Sequence, residues 1–398
     1  MTKLAITGAD VVDPEAKAAR RATLLVEDGR IAGSVAPAET LGADWQLIAR
    51  PGLAIAPGFL DLHFHGELVA APPARFPAAL ERASRRMLGE GTTGFLATTV
   101  CWPRAQLANA VGALAAAVDG VPAPGAACLG LHLEGPWISA QAPGAMAPEA
   151  IQPFDPREGG EVLARAGEQL RMVTLAPEVE GADALLAELE RRGAIAALGH
   201  THARPACIRD AIERGLRHVT HLWNAMGGIH HRAPGVAGTA LAEDRLTCDL
   251  ICDGHHVDPA VVRVAARALG ERLVLITDRI DVPEGTGRSA LGAVAAGADG
   301  EPWRRADGTI AGSQLALDRA MRNARRFAGI GLCDAVAACT LRPARLLGVE
   351  RERGTLRRGA RADLALLDAD GRAVETWVAG APVWRSENFR SDGNPERR

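Results

Sequence analysis

The sequence predicts a (β/α)8 barrel joined to a small β-sandwich that is built from both ends of the chain. Three observations predict this fold: eight short aliphatic runs follow Pro57, the segments between them have helical spacing, and both flanks have a strand-and-turn texture. Short aliphatic runs are typical of strands buried on both faces, and alternating strands and helices produce a parallel sheet through right-handed crossovers. We assign residues 57–352 to the barrel and residues 1–56 plus 353–388 to the sandwich.

The two flanks are predicted to form strands and turns rather than helices. The N-terminal flank contains the runs LAITGADVV, ATLLVEDGRIAG and WQLIARPGLAIAP, and the C-terminal flank contains GTLRRGARADLALLDADG and AVETWVAGAPVW. Glycine, proline and aspartate separate the apolar residues as they do in turns. Neither flank has enough apolar surface for a stable sheet, so we pair the two. The residues from Asn388 onward are polar, and we expect them to be frayed.

The barrel strands are predicted to be, in chain order, GFLDLHFH, GFLATTV, CLGLHLEG, RMVTLAPE, AIAALGH, HVTHLW, LTCDLIC and RLVLITD. Connecting segments such as RFPAALERASRRMLGEG and DPAVVRVAARALG carry apolar residues at helical spacing, and several end in glycine, which commonly terminates helices. Eight parallel strands close a barrel, and active sites in such barrels lie at the face where the strands end.

Composition limits the classes of partner. The 398 residues are 47% hydrophobic, which can fill a substantial core, and the net charge of −3 comes without a basic tract for nucleic acid. No apolar stretch approaches the roughly 20 residues that span a bilayer, and the start lacks the pattern of a secretory signal. The seven cysteines are an odd number and form no CxxC pair, as expected for reduced thiols. We therefore expect a cytoplasmic protein with a small-molecule partner, no nucleic acid and no membrane contact.

Six residues that can bind a divalent metal stand at the ends of five predicted strands: His63, His65, Glu134, His200, His221 and Asp278. Side chains alternate along a strand, so the two histidines of the first strand point the same way. Asp61 lies two residues earlier on the same side. Nitrogen and oxygen ligands without thiolate suit zinc, iron, manganese or cobalt, and the spacing does not choose among them.

Each of these residues also has a plainer interpretation when it is taken alone. A strand-end histidine is more often a hydrogen-bonded core residue, Glu134 could lie on the surface, and Asp278 could cap a helix. Burial of an unpaired carboxylate costs several kcal/mol, and the predicted barrel brings all six to one rim, which favours a metal site. We interpret His132 as a supporting residue, and His202 and His218 stay open as alternatives that fit strand ends less well.

These motifs resemble the N-acetylglucosamine-6-phosphate deacetylase family of the amidohydrolase superfamily, over nearly the whole chain. The segments HLEGP and HLWNAM are the most specific, whereas His-x-His is common to the whole superfamily. The matching segments are PGFLDLHFHG (57–66), LGLHLEGPW (129–137), TLAPE (174–178), GHTHA (199–203), THLWNAM (220–226), APGVAG (233–238), DGHHVD (253–258), ITD (276–278) and GTIAGS (308–313).

The resemblance implies a division of roles among the six residues. Glu134, His200 and His221 become the core metal ligands, and Asp278 becomes the catalytic acid/base. A second site formed by His63 and His65 with help from Asp278 is implied because the chain keeps both histidines, so one or two divalent ions are expected, most simply zinc. In the implied reaction Asp278 takes a proton from water and delivers it to the amine, which releases acetate and an amino sugar.

The resemblance also implies substrate contacts and an assembly. The backbone of Asn224 and Ala225, the side chains of Arg232 and His256, and the backbone of the turn Ile310, Ala311 and Gly312 are expected to surround an amino-sugar phosphate. A guanidinium is well suited to a phosphate. Without the resemblance, Arg232 is most simply an exposed loop residue. Related proteins are commonly dimers that share the phosphate site, so we expect a homodimer.

The chain departs from the family pattern around the expected substrate. Met146 stands where the family usually has a histidine, and a thioether is a poor hydrogen-bond partner. After Asp278 the chain reads RIDVPEG, so we expect Arg279 and Asp281 to add charge at the mouth of the site. The segment ELVAAPP after the His-x-His pair also replaces a glycine-rich stretch. Another N-acetyl amino sugar or another N-acyl compound therefore stays open as the substrate.

Three rival functions fit the same barrel less well. Nucleobase deaminases usually have a glutamate three residues after a strand-end histidine, and neither His200 nor His221 is followed by one. Cyclic-amide hydrolases normally use a bridging modified lysine, and the equivalent strand here ends in Glu134. A non-catalytic barrel would be expected to lose metal ligands, whereas all six candidates are present.

Overall fold

Seven short strands open the chain in the computed structural model, which describes residues 2–121, 123–283, 289–298, 300–387 and 389. They are β1 (Lys3–Thr7), β2 (Asp10–Asp13), β3 (Ala18–Arg21), β4 (Thr23–Glu27), β5 (Arg30–Val35), β6 (Gln46–Ala49) and β7 (Ala54–Pro57). All but β3 overlap the predicted runs. The predicted polar tail beyond residue 389 lies outside the described residues.

A parallel sheet of nine strands follows and closes on itself. Its strands are β8 (Phe59–Gly66), β9 (Thr92–Thr98), β10 (Ala127–Glu134), β11 (Leu170–Leu175), β12 (Ile195–Leu198), β13 (Leu216–Val219), β14 (Thr247–Ile251), β15 (Leu273–Ile276) and β16 (Arg279–Ile280). From β8 to β15, neighbours in sequence are neighbours in the sheet, and β16, which directly follows β15, pairs in parallel with β8. All eight predicted strands are present, so the predicted barrel is confirmed.

Helices pack around the barrel strands. They are α1 (Phe76–Met87), α2 (Arg104–Val118), α3 (Glu158–Ala166), α4 (Ala182–Arg192), α5 (Pro205–Glu213), α6 (Gly235–Ala242) and α7 (Pro259–Leu269). Three of them begin with proline at the first or second helical position, where its missing N–H costs no helical hydrogen bond. Among the described residues, no helix combines the length and the apolarity needed to cross a membrane.

The remaining elements complete the barrel and return to the flank. They are β17 (Val294–Ala295), β18 (Trp303–Arg305), β19 (Ile310–Gly312), α8 (Leu317–Ala328), α9 (Leu332–Cys339), α10 (Leu341–Leu347), β20 (Leu364–Leu367), β21 (Ala373–Val378) and β22 (Ala381–Arg385). Strands β17 to β19 form a small antiparallel sheet that the sequence did not predict, because strands of two or three residues leave no readable alternation.

The two chain ends meet in shared sheets. One sheet has the order β5-β4-β1-β6, and a second has the order β22-β21-β20-β7-β2-β3, in which β7 pairs with both β2 and β20. A separate apolar core beneath these strands includes Ile6, Leu24, Ile55, Leu364 and Trp377. This pairing supports a unit built from both ends, whose boundaries at residues 56 and 353 stay a prediction.

Candidate active site and metal centre

The six predicted ligands lie together at the C-terminal rim of the barrel. His63 and His65 belong to β8, and Glu134 is the last residue of β10. The other three stand two residues beyond the ends of β12, β13 and β15: His200, His221 and Asp278. All except Asp278 are buried, and its side chain is 15% exposed. The rim therefore gathers four imidazoles and two carboxylates in a place with little access for water.

One group of ligand atoms lies around Glu134. The Oε1 atom of Glu134 is 3.1 Å from Nε2 of His200 and 2.8 Å from Nε2 of His221, and these two nitrogens are 3.1 Å apart. Three donor atoms of buried residues so close to one another could hold a metal ion.

A second group shares the same carboxylate. Nε2 of His63 and Nε2 of His65 are 3.1 Å apart, and the latter lies 3.3 Å from Oε2 of Glu134. Oδ1 of Asp278 is 3.3 Å from His63 and 3.2 Å from His65. Glu134 thus stands between the two groups of histidines, and Asp278 contacts only the second.

The charges in this cluster are strongly coupled. Burial alone would raise the pKa of Glu134, but the neighbouring His63, His200 and His221 hold it well below its usual value. Burial would likewise lower the pKa of His65, but hydrogen bonds to Asp278 and Glu134 raise it to about 10. The carboxylates therefore favour positive charge between them, and a divalent cation would supply that charge.

Three of the six residues have an unusual backbone conformation. His200, His221 and Asp278 have φ values of 49°, 32° and 49°, in the left-handed region that residues other than glycine rarely adopt. Hydrogen bonds hold Asp278 there: its N–H donates to the carbonyl of His63 at 2.9 Å, and its own carbonyl accepts from the N–H of Ser313 at 2.8 Å. Each strand end therefore turns sharply where it presents its ligand.

His132 and His202, the first interpreted as a supporting residue and the second left open by the sequence, lie in different places. His132 lies beneath His63, with Nδ1 3.1 Å from the carbonyl of Leu62 and Nε2 2.7 Å from Oγ1 of Thr174. Burial first, and the nearby His63 next, lower the pKa of His132 well below its usual value, so it is neutral. His202 is exposed, and its N–H donates to Glu178 at 2.9 Å.

The sequence reasoning missed Asp249, a fully buried carboxylate in β14. Its Oδ1 accepts the N–H of His221, and its Oδ2 lies 3.0 Å from Nε2 of His218. The run LTCDLIC carried the signal, since an acidic residue inside an apolar strand needs a partner. His218 is therefore paired with a carboxylate away from the ligand cluster.

The residues predicted to contact substrate lie on loops beyond the strand ends. Asn224 follows His221 and donates its N–H to the carbonyl of that histidine at 2.9 Å, and the carbonyl of Ala225 accepts from Thr201 at 3.1 Å. His256 follows β14, and its Nδ1 is 2.6 Å from Oδ2 of Asp253.

The other two predicted contact regions differ in how tightly they are held. Arg232 is exposed, and no ion pair involves its guanidinium among the described residues. Ile310, Ala311 and Gly312 form β19, and Ser313 directly after it is bonded to Asp278. The structure thus places the β19 segment beside the second ligand group, whereas Arg232 stands free on the loop after β13.

The prediction that Arg279 and Asp281 add charge at the mouth of the site is wrong. Arg279 is aligned with Phe64 in the parallel pairing of β16 with β8, so its side chain lies on the opposite face from His63 and His65. There it pairs with Asp281 at 3.2 Å and with Glu90 at 3.4 Å. The register, which a sequence does not print, turns these charges toward the helix layer.

Met146 also turns away from solvent. Its side chain is 4% exposed, and its sulfur lies 3.4 Å from the N–H of Cys101, which donates to it. Arg305 of β18 reaches the neighbouring carbonyl of Ala145 at 3.4 Å. The loop after β10 is therefore fixed from both sides beside the ligand cluster.

Comparisons with known proteins identify the family of this chain. The model of the Amidohydrolase family matches residues 54–389. The chain is 35% identical over 330 residues to the N-acetylglucosamine-6-phosphate deacetylase of Bacillus subtilis. This match covers 82% of this chain and 83% of the relative. It is 34% identical over 329 residues to the N-acetylgalactosamine-6-phosphate deacetylase of Escherichia coli O157:H7, which covers 82% and 86%.

A solved structure is similar over almost the full length. It is a mutant of the N-acetyl-D-glucosamine-6-phosphate deacetylase of Mycobacterium smegmatis in complex with N-acetyl-D-glucosamine 6-phosphate. The TM-score is 0.83 with 32% identity, and the match covers 96% of this chain and 99% of the other. From the family match, the relatives and the rim geometry together, this chain is a hydrolase that belongs to the N-acetylglucosamine-6-phosphate deacetylase branch of the amidohydrolase family.

Proposed function

We propose that this chain hydrolyses the acetamide bond of N-acetylglucosamine 6-phosphate and releases acetate and glucosamine 6-phosphate. The observation that carries the proposal is the convergence of Glu134, His200 and His221 with His63, His65 and Asp278 on one rim, in a chain about 35% identical to an enzyme of that name. Water adds its oxygen to the acyl carbon, the carbon–nitrogen bond breaks, and the amine leaves with a proton.

The donor set fits a divalent metal. Buried imidazole nitrogens and carboxylate oxygens approach within 2.8 to 3.4 Å of one another, and buried carboxylates need positive charge beside them. We propose that Glu134, His200 and His221 hold one ion, and that His63 and His65 hold a second with help from Asp278. Zinc suits the ligands, with iron, manganese or cobalt as alternatives. A bound ion would polarise the amide carbonyl and make water more acidic.

We propose Asp278 as the residue that moves the proton. Burial would raise the pKa of its carboxyl, but His63 and His65 hold the pKa below its usual value, so Oδ1 is ionised at neutral pH. It is also the most exposed of the six, which leaves it open to the substrate side. We propose that Oδ1 accepts a proton from water and then gives it to the amine nitrogen, as one positioned carboxylate can do in both steps.

The loops supply contacts for the rest of the substrate. We propose that the free guanidinium of Arg232 and the imidazole of His256 bind the phosphate, and that the backbone of Asn224 and Ala225 orients the sugar. Ile310, Ala311 and Gly312 would cover it from the side of Asp278. We also propose a homodimer in the cytoplasm, in which a second copy completes the exposed loop around Arg232.

A second candidate substrate has a specific argument in its favour. The relative from Escherichia coli O157:H7, named for N-acetylgalactosamine 6-phosphate, matches this chain at 34% identity, which is nearly the same as the match to the glucosamine enzyme. The two sugars differ only in the configuration of one hydroxyl group. Identity at this level does not separate them, so the choice between them is experimental.

The test compares acetate release from four compounds after the metal content of the protein has been measured. They are the 6-phosphates of N-acetylglucosamine and N-acetylgalactosamine and their two unphosphorylated counterparts. We expect the highest kcat/KM with N-acetylglucosamine 6-phosphate. A metal-loaded preparation that releases acetate from none of the four would refute the proposal, and faster turnover of the galactosamine compound would transfer it to the second candidate.

A further inference from the structure

The four histidines of the rim are held in two different ways. In His65 and His200 the second ring nitrogen has a main-chain partner: Nδ1 lies 3.2 Å from the carbonyl of Thr98 and 3.0 Å from the carbonyl of Ala142, respectively. Such a bond fixes the tautomer and the orientation of a metal-binding imidazole. These two rings are therefore oriented directly.

His63 and His221 lack this kind of support. Within the described residues, the Nδ1 atoms of both are buried without a hydrogen-bond partner. Instead, each donates its main-chain N–H to a buried carboxylate: His63 to Oδ1 of Asp61 at 3.2 Å, and His221 to Oδ1 of Asp249. In His63 and His221, therefore, a buried carboxylate binds the main-chain N–H, whereas Nδ1 of the ring has no hydrogen-bond partner among the described residues.

Asp249 is built into a network around His221. Its second oxygen is 3.0 Å from Nε2 of His218, and Nδ1 of His218 is 2.8 Å from Oγ1 of Thr247. The carbonyl of Asp249 also accepts the N–H of Leu222 at 3.0 Å. Asp249 therefore bonds two successive N–H groups, those of His221 and of the residue after it.

This network matters because the backbone at His221 is strained. The φ value of 32° lies in the left-handed region, which persists only where surrounding contacts impose it. The Nε2 atom of His221 is 2.8 Å from Glu134, and a rotation of the backbone would carry the ring away from that contact. The residues on either side of Asp249 in β14, Cys248 and Leu250, are apolar, so the strand itself needs no carboxylate.

We propose that Asp249, itself held by His218, is a positioning residue that keeps the metal ligand His221 in place. Its role is to fix the N–H of His221 so that the unsupported ring points toward Glu134. The inference rests on the proposed metal site and is independent of which amino sugar is hydrolysed.

The test measures metal affinity in the absence of substrate, by titration of metal-free protein with zinc and with cobalt. Asp249→Val removes the acceptor and suits an apolar strand, and we expect it to bind metal about 10- to 100-fold more weakly, the usual effect of losing a group that orients a ligand. Asp249→Asn keeps an oxygen for His221 and an amide donor for His218. We expect it to retain the affinity of the parent protein within about threefold.

The absorption spectrum of bound cobalt provides a second readout, because it reports the arrangement of ligands. We expect the Asp249→Val spectrum to change and the Asp249→Asn spectrum to match the parent. Asp249→Ala serves the same purpose if the valine variant does not fold.

Glu375→Ala is the matched control, since it removes an equally buried carboxylate from the flanking sheet. We expect it to lower the melting temperature and to leave metal affinity and the cobalt spectrum unchanged. The proposal is overturned if Asp249→Val binds metal as tightly as the parent protein, if Asp249→Asn is as weak as Asp249→Val, or if the control loses affinity to the same degree. If the parent protein binds metal but releases no acetate, the proposed function is refuted, and the metal affinities of the variants still test the role of Asp249.

Discussion

The rim of the barrel and the flanking sheets both bury charged groups, but they do so in opposite ways. In the flanking sheets the buried charges of Arg50 and Glu375 partner each other: Nη2 of Arg50 donates to Oε1 of Glu375 at 2.8 Å. At the rim, imidazoles and carboxylates converge, and three of them stand on left-handed backbone. The comparison separates charges that join the two chain ends from charges gathered for a ligand.

Replacement of Asp278 should give the largest effect on activity. Asp278→Asn keeps the shape of the side chain and removes its ability to accept a proton, so we expect kcat to fall about 10²- to 10⁴-fold. The ion proposed at Glu134, His200 and His221 should be retained, and the melting temperature should stay close to that of the parent protein. Steady-state kinetics with a measured metal content checks this, and a variant that keeps full activity would show that another group moves the proton.

Replacement of Arg232 should act on binding alone. Because its guanidinium is exposed and free of ion pairs within the described chain, Arg232→Gln should raise KM for the phosphorylated sugar about 10- to 100-fold with little change in kcat. The unphosphorylated sugar should be unaffected. Arg20→Gln, at an exposed arginine of β3, is the control. An equal effect on both sugars would remove the phosphate role.

Replacement of Glu375 should lower the stability of the protein and leave its catalytic rate unchanged. Glu375→Ala leaves the buried guanidinium of Arg50 without its partner, and breaking a buried pair costs about 3–5 kcal/mol. We expect a melting temperature lower by several degrees and an unchanged kcat at a temperature where the variant is folded. A matching loss of kcat would mean that the flanking sheets also set the geometry of the rim.

Replacement of Glu90 should change only the pH dependence of stability. Burial raises the pKa of Glu90 from 4.5 to about 7. The positive charges of Arg279 and Arg86 lower this pKa, and the negative charges of Asp318 and Asp61 raise it. Between these two pH values the folded protein holds a proton that the unfolded chain has released, so stability falls as the pH rises through this window. Each pKa unit corresponds to about 1.4 kcal/mol. Glu90→Gln should flatten the melting temperature between about pH 5 and 7, and an unchanged slope would exclude Glu90 as the cause.

Much of the fold was readable from the sequence because the barrel strands are short, aliphatic and separated by amphipathic segments. The ligands were readable because polar residues stand at the ends of apolar runs, as His200 and Glu134 do. The direction of Arg279 was not readable, since it depends on the register between β16 and β8. Asp249 was passed over because a single acid in an apolar strand gives no hint of what it contacts. The left-handed backbone of His200, His221 and Asp278 could not be predicted, because the sequence signals that conformation mainly through glycine.

The barrel closes at a seam that is only two residues wide. β16 follows Asp278 directly, and the N–H groups of Asp278 and Asp281 donate to β8 at the carbonyls of His63 and Gly66, both at 2.9 Å. Local opening between β16 and β8 would carry Asp278 away from His63 before the other strands separate. Heating should therefore inactivate the protein below its melting temperature. Amide protons of Asp278 and Asp281 should exchange with solvent sooner than those in the middle of the sheet, which would place the proposed acid/base where local opening begins.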